Sequence, residues 1–333
     1  MVFANLMKRA QSGLTQDEAG TAVRAMMDGQ WNAGQIASFL TVLAKRGETA
    51  EEVAGFAIVM RDKAVMVPLK GMRVLDTCGT GGDRKNSFNI STVSAFVLAG
   101  CGIPIAKHGN KAASSACGSA DLLEALGMSI RLKPEQVRDA IESSGFAFLF
   151  APDYHPATRS VAPVRKQLGF PTIFNLLGPL TNPAEPSSQV IGVFRRSALP
   201  LMTEALSRIN SDIRACLIHS VEGYDEATPT ARFLVHRTFG SASLESASDF
   251  GFAPCSPEDL LGGSASKNAK IACSIMNGEP GPKRDTVLLN AILGYLAYHP
   301  KAKTDEARAA VTESVDSGAA LRVVDEYRRR FPL

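Results

Sequence analysis

The chain has 333 residues, of which 45% are hydrophobic and 21% are charged, and its formal net charge is +3. This length predicts one large or two moderate domains, the small net charge gives no support for nucleic-acid binding, and no apolar run reaches the ~20 residues that a membrane span needs. The N-terminus lacks the long apolar core of a signal peptide and the six cysteines lack C-x-x-C spacing, so we expect a cytoplasmic protein with reduced thiols.

The first part of the chain is predicted to be all-helical. Thr15 to Glu18 and Thr49 to Glu52 both have the spacing of a helix capping box. Between them, apolar residues recur at helical spacing, at Ile36, Phe39, Leu40 and Leu43. We therefore expect an N-terminal helical domain over residues 1–68. Four short helices bury little core alone, so this domain needs the rest of the chain or a second subunit.

From Met72 onwards, short apolar runs alternate with helical patterns, which predicts an α/β domain over residues 69–333. The predicted buried strands are RVLDT, IPIA, FAFLF, QVIGVF and RACLIHS, and RFLVHRTF is expected at the sheet edge. The tail from Arg284 is expected to be helical and to pack on the sheet. The predicted fold class is thus a mainly parallel sheet with flanking helices, plus a smaller all-helical domain.

Two glycine- and serine-rich loops lie between Asp76 and Gly127, and each follows an apolar run and leads into a helical pattern. Glycine permits tight turns with bare N–H groups, and a helix N-terminus adds partial positive charge. Such turns bind anions, most often phosphate. Two of them predict a ligand with more than one phosphate group, although a strand-to-helix turn without a ligand is the alternative.

The first loop does not match the common nucleotide motifs. Arg84 stands where both the mononucleotide P-loop and the dinucleotide fingerprint need a glycine, and no acidic residue lies between Val97 and Gly109. A nucleotide or NAD site of these kinds is therefore not predicted.

Several longer motifs, in order, carry a family resemblance. GTGGD, NSFNIST, KHGN and GSADLLEALG are followed by APDYHPATRSVAPVRKQLG, by TIFNLLGPLTNPA and, weakly, by EGYDE. Over about residues 70–230 the chain resembles the anthranilate phosphoribosyltransferase family of tryptophan biosynthesis. The resemblance implies the fold shared by nucleoside phosphorylases and class III phosphoribosyltransferases. In that fold, residues of about 160–190 return to the helical domain.

The resemblance also implies an activity. Members transfer the phosphoribosyl group of phosphoribosyl pyrophosphate (PRPP) to the amino nitrogen of anthranilate, which gives N-(5-phosphoribosyl)anthranilate and pyrophosphate. It implies Mg²⁺ as cofactor and a homodimer formed through the helical domain, with no nucleic-acid or membrane partner.

The resemblance implies a role for individual residues of this chain. The expected PRPP-binding residues are Gly79, Gly82, Asp83, Ser87, Asn89, Ile90, Ser91, Thr92, Lys107, Ser115 and Ser119. The expected anthranilate-binding residues are Gly79, Asn110 and Arg165. The expected metal ligands are Ser91, Asp225 and Glu226, and His108 and His155 are candidates for shaping the acceptor pocket or moving protons.

Elementary chemistry agrees with these roles. Adjacent acids such as Asp225 and Glu226 can supply the hard oxygen ligands that Mg²⁺ prefers, although an isolated pair is more often a solvated turn. The planar guanidinium of Arg165 can hold a carboxylate at two points, although a surface arginine is the alternative. Lys107 supplies a point charge at a predicted strand end.

The chain departs from the family pattern at Arg84, where glycine is common, and at Lys111, where arginine is common. These departures bear on acceptor specificity. Three other functions are consistent with parts of the pattern: pyrimidine nucleoside phosphorolysis, phosphoribosyl transfer to another aromatic acceptor, and nucleic-acid binding by a non-enzymatic paralogue.

Overall fold

The computed structural model describes residues 2–112 and 116–333. Its first 62 residues form four helices, which are α1 (Val2–Ala10), α2 (Gln16–Met27), α3 (Ala33–Arg46) and α4 (Ala50–Asp62). The two predicted capping boxes are present at the starts of α2 and α4. A third, between Asn32 and Gln35, begins α3 and was not predicted. Local hydrogen bonding to the first turn thus sets where these helices start.

A seven-stranded sheet follows. Its strands are β1 (Leu75–Gly79), β2 (Ile105–Gly109), β3 (Phe146–Phe150), β4 (Ser188–Gly192), β5 (Arg214–Ser220), β6 (Phe233–Arg237) and β7 (Ser243–Glu245). The strand order is β3-β2-β1-β4-β5-β6-β7. The first five strands are parallel to one another, whereas β6 and β7 pair in antiparallel fashion. The mainly parallel sheet is therefore confirmed.

One strand prediction is wrong in detail. The run 232–239 was expected at the sheet edge, but β6 lies inside β7, the three-residue strand that forms the edge. The β7 sequence is too short and too polar to stand out as a strand.

Further helices of the described residues surround the sheet or extend the bundle. They are α5 (Ile90–Gly100), α6 (Ser119–Ala125), α7 (Pro134–Ser144), α8 (Ala151–Tyr154), α9 (Ala162–Leu168), α10 (Phe174–Leu177), α11 (Ala198–Ile209), α12 (Ala265–Met276), α13 (Pro282–Tyr298), α14 (Thr304–Asp316) and α15 (Ala319–Arg330). Helix α13 packs on β4, β5 and α5, as expected for the apolar C-terminal run. None of the described helices has the length and low polarity needed to cross a membrane.

Two apolar cores support the sheet. One lies between the sheet and α5, α7 and α12–α15. The other joins α1–α4 to α9, α10, α11 and the opposite side of β4 and β5. Helix α9 packs on α3, and α10 packs on α4, so residues 162–177 lie with the N-terminal helices. This packing supports a proposed helical domain of residues 1–68 joined by about 160–190.

Candidate active site

The first glycine-rich turn connects the carboxyl end of β1 to the start of α5. Its backbone is left-handed at Gly81 (φ 62°) and Gly82 (φ 89°), which glycine adopts without steric cost. It is also left-handed at Arg84 (φ 58°) and Asn86 (φ 55°), where a side chain makes the conformation less favourable. The turn thus contains backbone strain next to the residues expected to bind pyrophosphate.

Three carboxyl groups meet beneath this turn. Asp225 lies beside Asp83, and burial together with the Asp83 charge raises the pKa of Asp225 to about 8. Burial and the neighbouring Asp225 also raise the pKa of Glu226, while the Ser91 N–H that binds it opposes this shift. The second oxygen of Asp83, Oδ2, is buried and lacks a hydrogen-bond partner among the described residues. The group therefore has an excess of negative charge that a cation would relieve.

Close approach to these acids depends on two glycines. A Cβ atom placed on Gly79, the last residue of β1, would lie 3.1 Å from Asp225 Oδ2. A Cβ on Gly192, the last residue of β4, would overlap the Asp225 carbonyl oxygen. The segment that carries Asp225 therefore rests directly on the ends of two neighbouring strands.

Lys107 lies below the turn, not at the surface. Its side chain is buried, and its ammonium donates to the Thr77 carbonyl and lies 3.4 Å from Ser91 Oγ. Burial lowers the pKa of Lys107, whereas the charges of Asp76 and Glu226 raise it. Lys107 was expected at a strand end, but it is the middle residue of β2. Its ammonium faces the protein interior, where it partly balances the acids.

The start of α5 carries four more of the expected PRPP ligands. Asn89 is the N-cap residue, and its Nδ2 donates to the Cys117 carbonyl at 3.1 Å. Ile90 and Thr92 are buried, and Thr92 Oγ1 has no hydrogen-bond partner within the described part of the chain. Ser87 forms an isolated bridge with Leu261. The Asn89 bond links the first turn to the second loop.

The second loop runs from the end of β2 to the start of α6. Asn110 is exposed, and its carbonyl accepts from the Ala120 N–H at 3.2 Å. The Asp121 carboxylate accepts from the N–H groups of Ala112 (2.9 Å) and Gly118 (2.8 Å), which holds the two ends of the loop together. Ser119 is the first residue of α6. The predicted ligand Ser115 lies outside the described residues.

The two histidines expected to shape the anthranilate pocket, His108 and His155, form a second and less charged group. His108 Nδ1 lies 3.1 Å from the Gly178 carbonyl oxygen, so this nitrogen carries the proton and Nε2 is left as an acceptor. Burial lowers the pKa of His108 to about 3 and that of His155 to about 4. Their rings meet edge to face, 5.1 Å apart, and neither Nε2 atom has a partner among the described residues. Both imidazoles are therefore neutral near pH 7.

Arg165 lies on α9, in the helical part of the fold. Its guanidinium lies 5.2 Å from the centre of the Phe174 ring, and burial lowers its pKa. Within residues 2–112 and 116–333 it makes no ion pair with an acidic side chain. A half-buried, unpaired guanidinium is suited to an anionic ligand.

A buried polar network not foreseen from the sequence joins the two groups. Asp76 accepts from the His108 N–H (3.1 Å) and from Asn182 Nδ2 (2.9 Å), and Asn182 Nδ2 also donates to the Ala106 carbonyl (2.9 Å). Gln189 Nε2 donates to the Pro179 carbonyl at 2.8 Å. Asp76 and Asn182 both fall inside quoted motifs, but nothing in the sequence indicates that their side chains meet.

The described residues contain no group of three or more His, Cys, Asp or Glu side chains arranged as a metal site. The predicted ligands Asp225, Glu226 and Ser91 nevertheless lie together, and the unpartnered Asp83 oxygen lies beside them. This donor set of oxygen atoms fits Mg²⁺.

Comparison with known proteins gives the family. A curated anthranilate phosphoribosyltransferase of Acetivibrio thermocellus is 44% identical over 94% of this chain and 92% of its own length. The chain belongs to the anthranilate phosphoribosyltransferase family.

The family assignment extends to both parts of the fold. The sequence profile of the glycosyl transferase family helical bundle domain matches residues 6–64, and that of the a/b domain of the family matches residues 71–321. The crystal structure of anthranilate phosphoribosyltransferase from Thermus thermophilus superposes with a TM-score of 0.92 at 41% identity, covering 97% of this chain and 98% of that one. The predicted fold class and family are thereby confirmed.

A further anthranilate phosphoribosyltransferase, from Saccharomyces cerevisiae, was solved in complex with PRPP and Mg. It is 27% identical and has a TM-score of 0.89 over 97% of each chain. These comparisons do not favour the nucleoside phosphorylase or the nucleic-acid-binding alternative.

Proposed function

We propose that this chain transfers the phosphoribosyl group of PRPP to the amino nitrogen of anthranilate, in tryptophan biosynthesis, with Mg²⁺ bound. The observation that carries the proposal is the meeting of two glycine-rich turns, at the ends of the adjacent parallel strands β1 and β2, above the half-buried pair Asp225 and Glu226. Ligands of α/β folds bind at the carboxyl ends of such strands. Family membership supports the choice of reaction.

The phosphate groups of PRPP would bind the two turns. Backbone N–H groups of the first turn and the start of α5 are suited to pyrophosphate, because they lie at the positive end of the helix dipole. The second loop and the start of α6 would hold the 5-phosphate of the ribose, as the family resemblance implies.

Mg²⁺ would be held by Asp225, Glu226 and Ser91. Its charge would stabilise the negative charge of the departing pyrophosphate. Among the described residues, the carboxyl groups of Asp83, Asp225 and Glu226 outnumber the buried Lys107 ammonium, so a bound cation would favour the binding of a polyanionic substrate.

The acceptor would bind on the side of Arg165, His108 and His155. Arg165 offers a guanidinium for the anthranilate carboxylate, and the neutral His108 Nε2 can accept a hydrogen bond from the amine. An aromatic amine is uncharged at pH 7, so its nitrogen lone pair is available without a strong base.

The reaction breaks the bond between ribose C1 and the pyrophosphate oxygen, which keeps the electron pair, and forms the bond between C1 and the amine nitrogen. The nitrogen loses one proton, which solvent or pyrophosphate accepts. The described residues supply charge stabilisation and alignment, and alignment alone can contribute about 7–11 kcal/mol in favourable cases.

The decisive test is the loss of anthranilate fluorescence on incubation with PRPP and Mg²⁺. We expect consumption only when protein, PRPP and Mg²⁺ are all present, with release of one pyrophosphate for each anthranilate. Replacing anthranilate by its para isomer tests whether the carboxylate must be next to the amine. Consumption of the para isomer alone would contradict the proposed acceptor.

We also infer a cytoplasmic homodimer formed through the helical domain. Exposed apolar side chains in this part of the fold, Val2 and Phe170, support the proposal. Light scattering coupled to gel filtration would report the mass, and a monomer at micromolar concentration would contradict it.

A further inference from the structure

The helix that carries the expected pyrophosphate ligands begins in an unusual way. Asn89 is the N-cap residue of α5, and asparagine is among the best N-cap residues because its side-chain oxygen accepts from the first-turn N–H groups. Asn89 makes no such bond with α5. Its backbone ψ of 69° also differs from the extended conformation of the N-cap residues of α2, α3 and α4.

The side chain of Asn89 is bound elsewhere. Its Oδ1 accepts from Nδ2 of Asn268 at 2.8 Å, and its own Nδ2 donates to the Cys117 carbonyl at 3.1 Å. The atom that would cap α5 is therefore occupied by a residue 179 positions further along the chain.

Asn268 is itself closely surrounded by protein atoms, although its Oδ1 has no hydrogen-bond partner among the described residues. It is buried in the first turns of α12, which Ser264 caps by accepting from the Lys267 N–H at 3.3 Å. A Cβ on Gly262 would lie 2.8 Å from both Asn268 Oδ1 and the Phe88 backbone, so the side chain is tightly enclosed.

The segment before α12 is also joined to the first turn by backbone hydrogen bonds. The Phe88 N–H donates to the Leu260 carbonyl at 3.1 Å, and the Gly262 N–H donates to the Asn86 carbonyl at 2.9 Å. The start of α12 and the first turn thus form one hydrogen-bonded unit, which fixes Asn268 relative to Asn89.

We propose that Asn268 is a positioning residue for the PRPP site. By binding Asn89 Oδ1, it keeps this side chain from capping the Thr92 N–H, so that this donor stays available to phosphate oxygens. The two preceding N–H groups of the turn are already engaged, because that of Ile90 donates to the Phe88 carbonyl and that of Ser91 binds Glu226. Through Asn89, Asn268 also fixes the first turn to the Cys117 carbonyl and hence to the second loop. The inference rests on the proposed function, because it assumes that phosphate binds at the start of α5.

The test is Asn268→Ala, assayed by varying each substrate separately. Without its partner, Asn89 Oδ1 is free to cap α5 and to compete with phosphate. We expect the KM for PRPP to rise about tenfold, while the KM for anthranilate stays within about twofold. A role limited to folding would not change one substrate constant selectively.

A double-mutant cycle with Asn89→Ala shows whether Asn268 acts through Asn89. In that background, Asn268→Ala should change the KM for PRPP by less than about twofold. Ser314→Ala is the matched control for stability, because it removes a buried hydrogen bond to the Val97 carbonyl, two turns further along α5. It should leave both substrate constants unchanged.

Equal rises of both KM values, or an unchanged KM for PRPP, would overturn the inference. Additive effects in the cycle would do the same. If Asn268→Ala does not fold, Asn268→Asp keeps the shape but cannot donate to Asn89 Oδ1, and the same selective rise is expected. An inactive wild-type protein would instead refute the proposed function, so the two failures are distinguishable.

Discussion

The phosphate end and the acceptor end of the candidate site differ in the charge of their ionisable side chains. Beneath the first turn, Asp83, Asp225 and Glu226 face a single buried ammonium, and the turn itself contains left-handed Arg84 and Asn86. At the acceptor end, the buried histidines are neutral. The difference matches the chemistry of the proposed substrates: one end must receive a cation and a polyanion, and the other an aromatic acid whose amine is uncharged and whose single carboxylate Arg165 would bind.

The largest effect is expected from the acids. Asp225→Asn should lower kcat by about 100-fold or more, about 2.7 kcal/mol, because the amide is a poor ligand for a divalent cation. Folding should be kept, because the amide is close in size and shape to the carboxyl group that it replaces and adds no charge beside Asp83. Mg²⁺ titration of activity and urea unfolding measure the two quantities.

The control for this variant is Asp212→Asn, an exposed aspartate in the loop before β5. It should leave activity unchanged. Full activity of Asp225→Asn at limiting Mg²⁺ would show that Asp225 does not hold the cation. The phosphate end would then not differ from the acceptor end in needing a metal ligand.

The next effect is the pH dependence contributed by the acceptor end. The pKa values of His108 (about 3) and His155 (about 4) lie below the unfolded value, so only the unfolded chain gains these protons as the pH falls below about 6.5. The contribution of these histidines to the free energy of unfolding should therefore decrease by roughly 2 kcal/mol each as the pH falls from 7 to 5. Asp225 and Glu226, whose pKa values are raised, contribute in the opposite direction over this range, so the histidine contribution is read from variants and not from the wild-type slope alone. Urea unfolding at several pH values gives the slope.

His155→Gln isolates one of these contributions: the difference in free energy of unfolding between the variant and the wild type should shift by roughly 2 kcal/mol in favour of the variant as the pH falls from 7 to 5. His236→Gln serves as the comparison, since this ring is less buried and should contribute less. An identical slope in wild type and His155→Gln would show that the acceptor end is not neutral in the folded protein.

A smaller effect is expected from Arg165→Ala. Loss of the guanidinium should raise the KM for anthranilate about tenfold, and leave that for PRPP within about twofold, because the charged contact is made only with the acceptor. The neighbouring Lys166→Ala, which removes an exposed charge from the same helix, is the control. Parallel changes in both constants would place Arg165 at the phosphate end instead.

The smallest effect concerns strain in the first turn. Arg84→Gly should raise the free energy of unfolding by about 0.5 kcal/mol, because relief of the left-handed conformation slightly exceeds the entropy that glycine adds to the unfolded chain. Asn86→Gly is the matched substitution, with a smaller expected gain because asparagine tolerates this conformation better. Equal gains, measured by urea unfolding, would argue against strain specific to Arg84.

Much of the fold and part of the site could be predicted from the sequence. The capping boxes of α2 and α4, the five parallel strands and the two glycine-rich turns are local features, since the residues that define each lie close together in the chain. The family motifs also named Asp225 and Glu226, although an isolated acidic pair carries little information. Their roles as ligands stay predictions.

Local sequence patterns did not predict features that depend on contacts between residues far apart in the chain. The edge strand β7 was missed because three residues, two of them polar, form a strand only when β6 is beside them. The buried orientation of Lys107 was not foreseen, because a strand pattern does not tell which charges lie beneath it.

The sequence by itself determined where the backbone turns and which segments become helices or strands, because those preferences depend on steric and hydrogen-bonding constraints within a few residues. Only the tertiary structure decided that Asn268 holds Asn89, that Asp76 joins Asn182 to the His108 backbone, and that Gly192 admits Asp225. The residues joined by these hydrogen bonds are 32 to 179 positions apart in the sequence. They exist because packing of the sheet and helices brings the partners within a few ångströms, which no short-range pattern records.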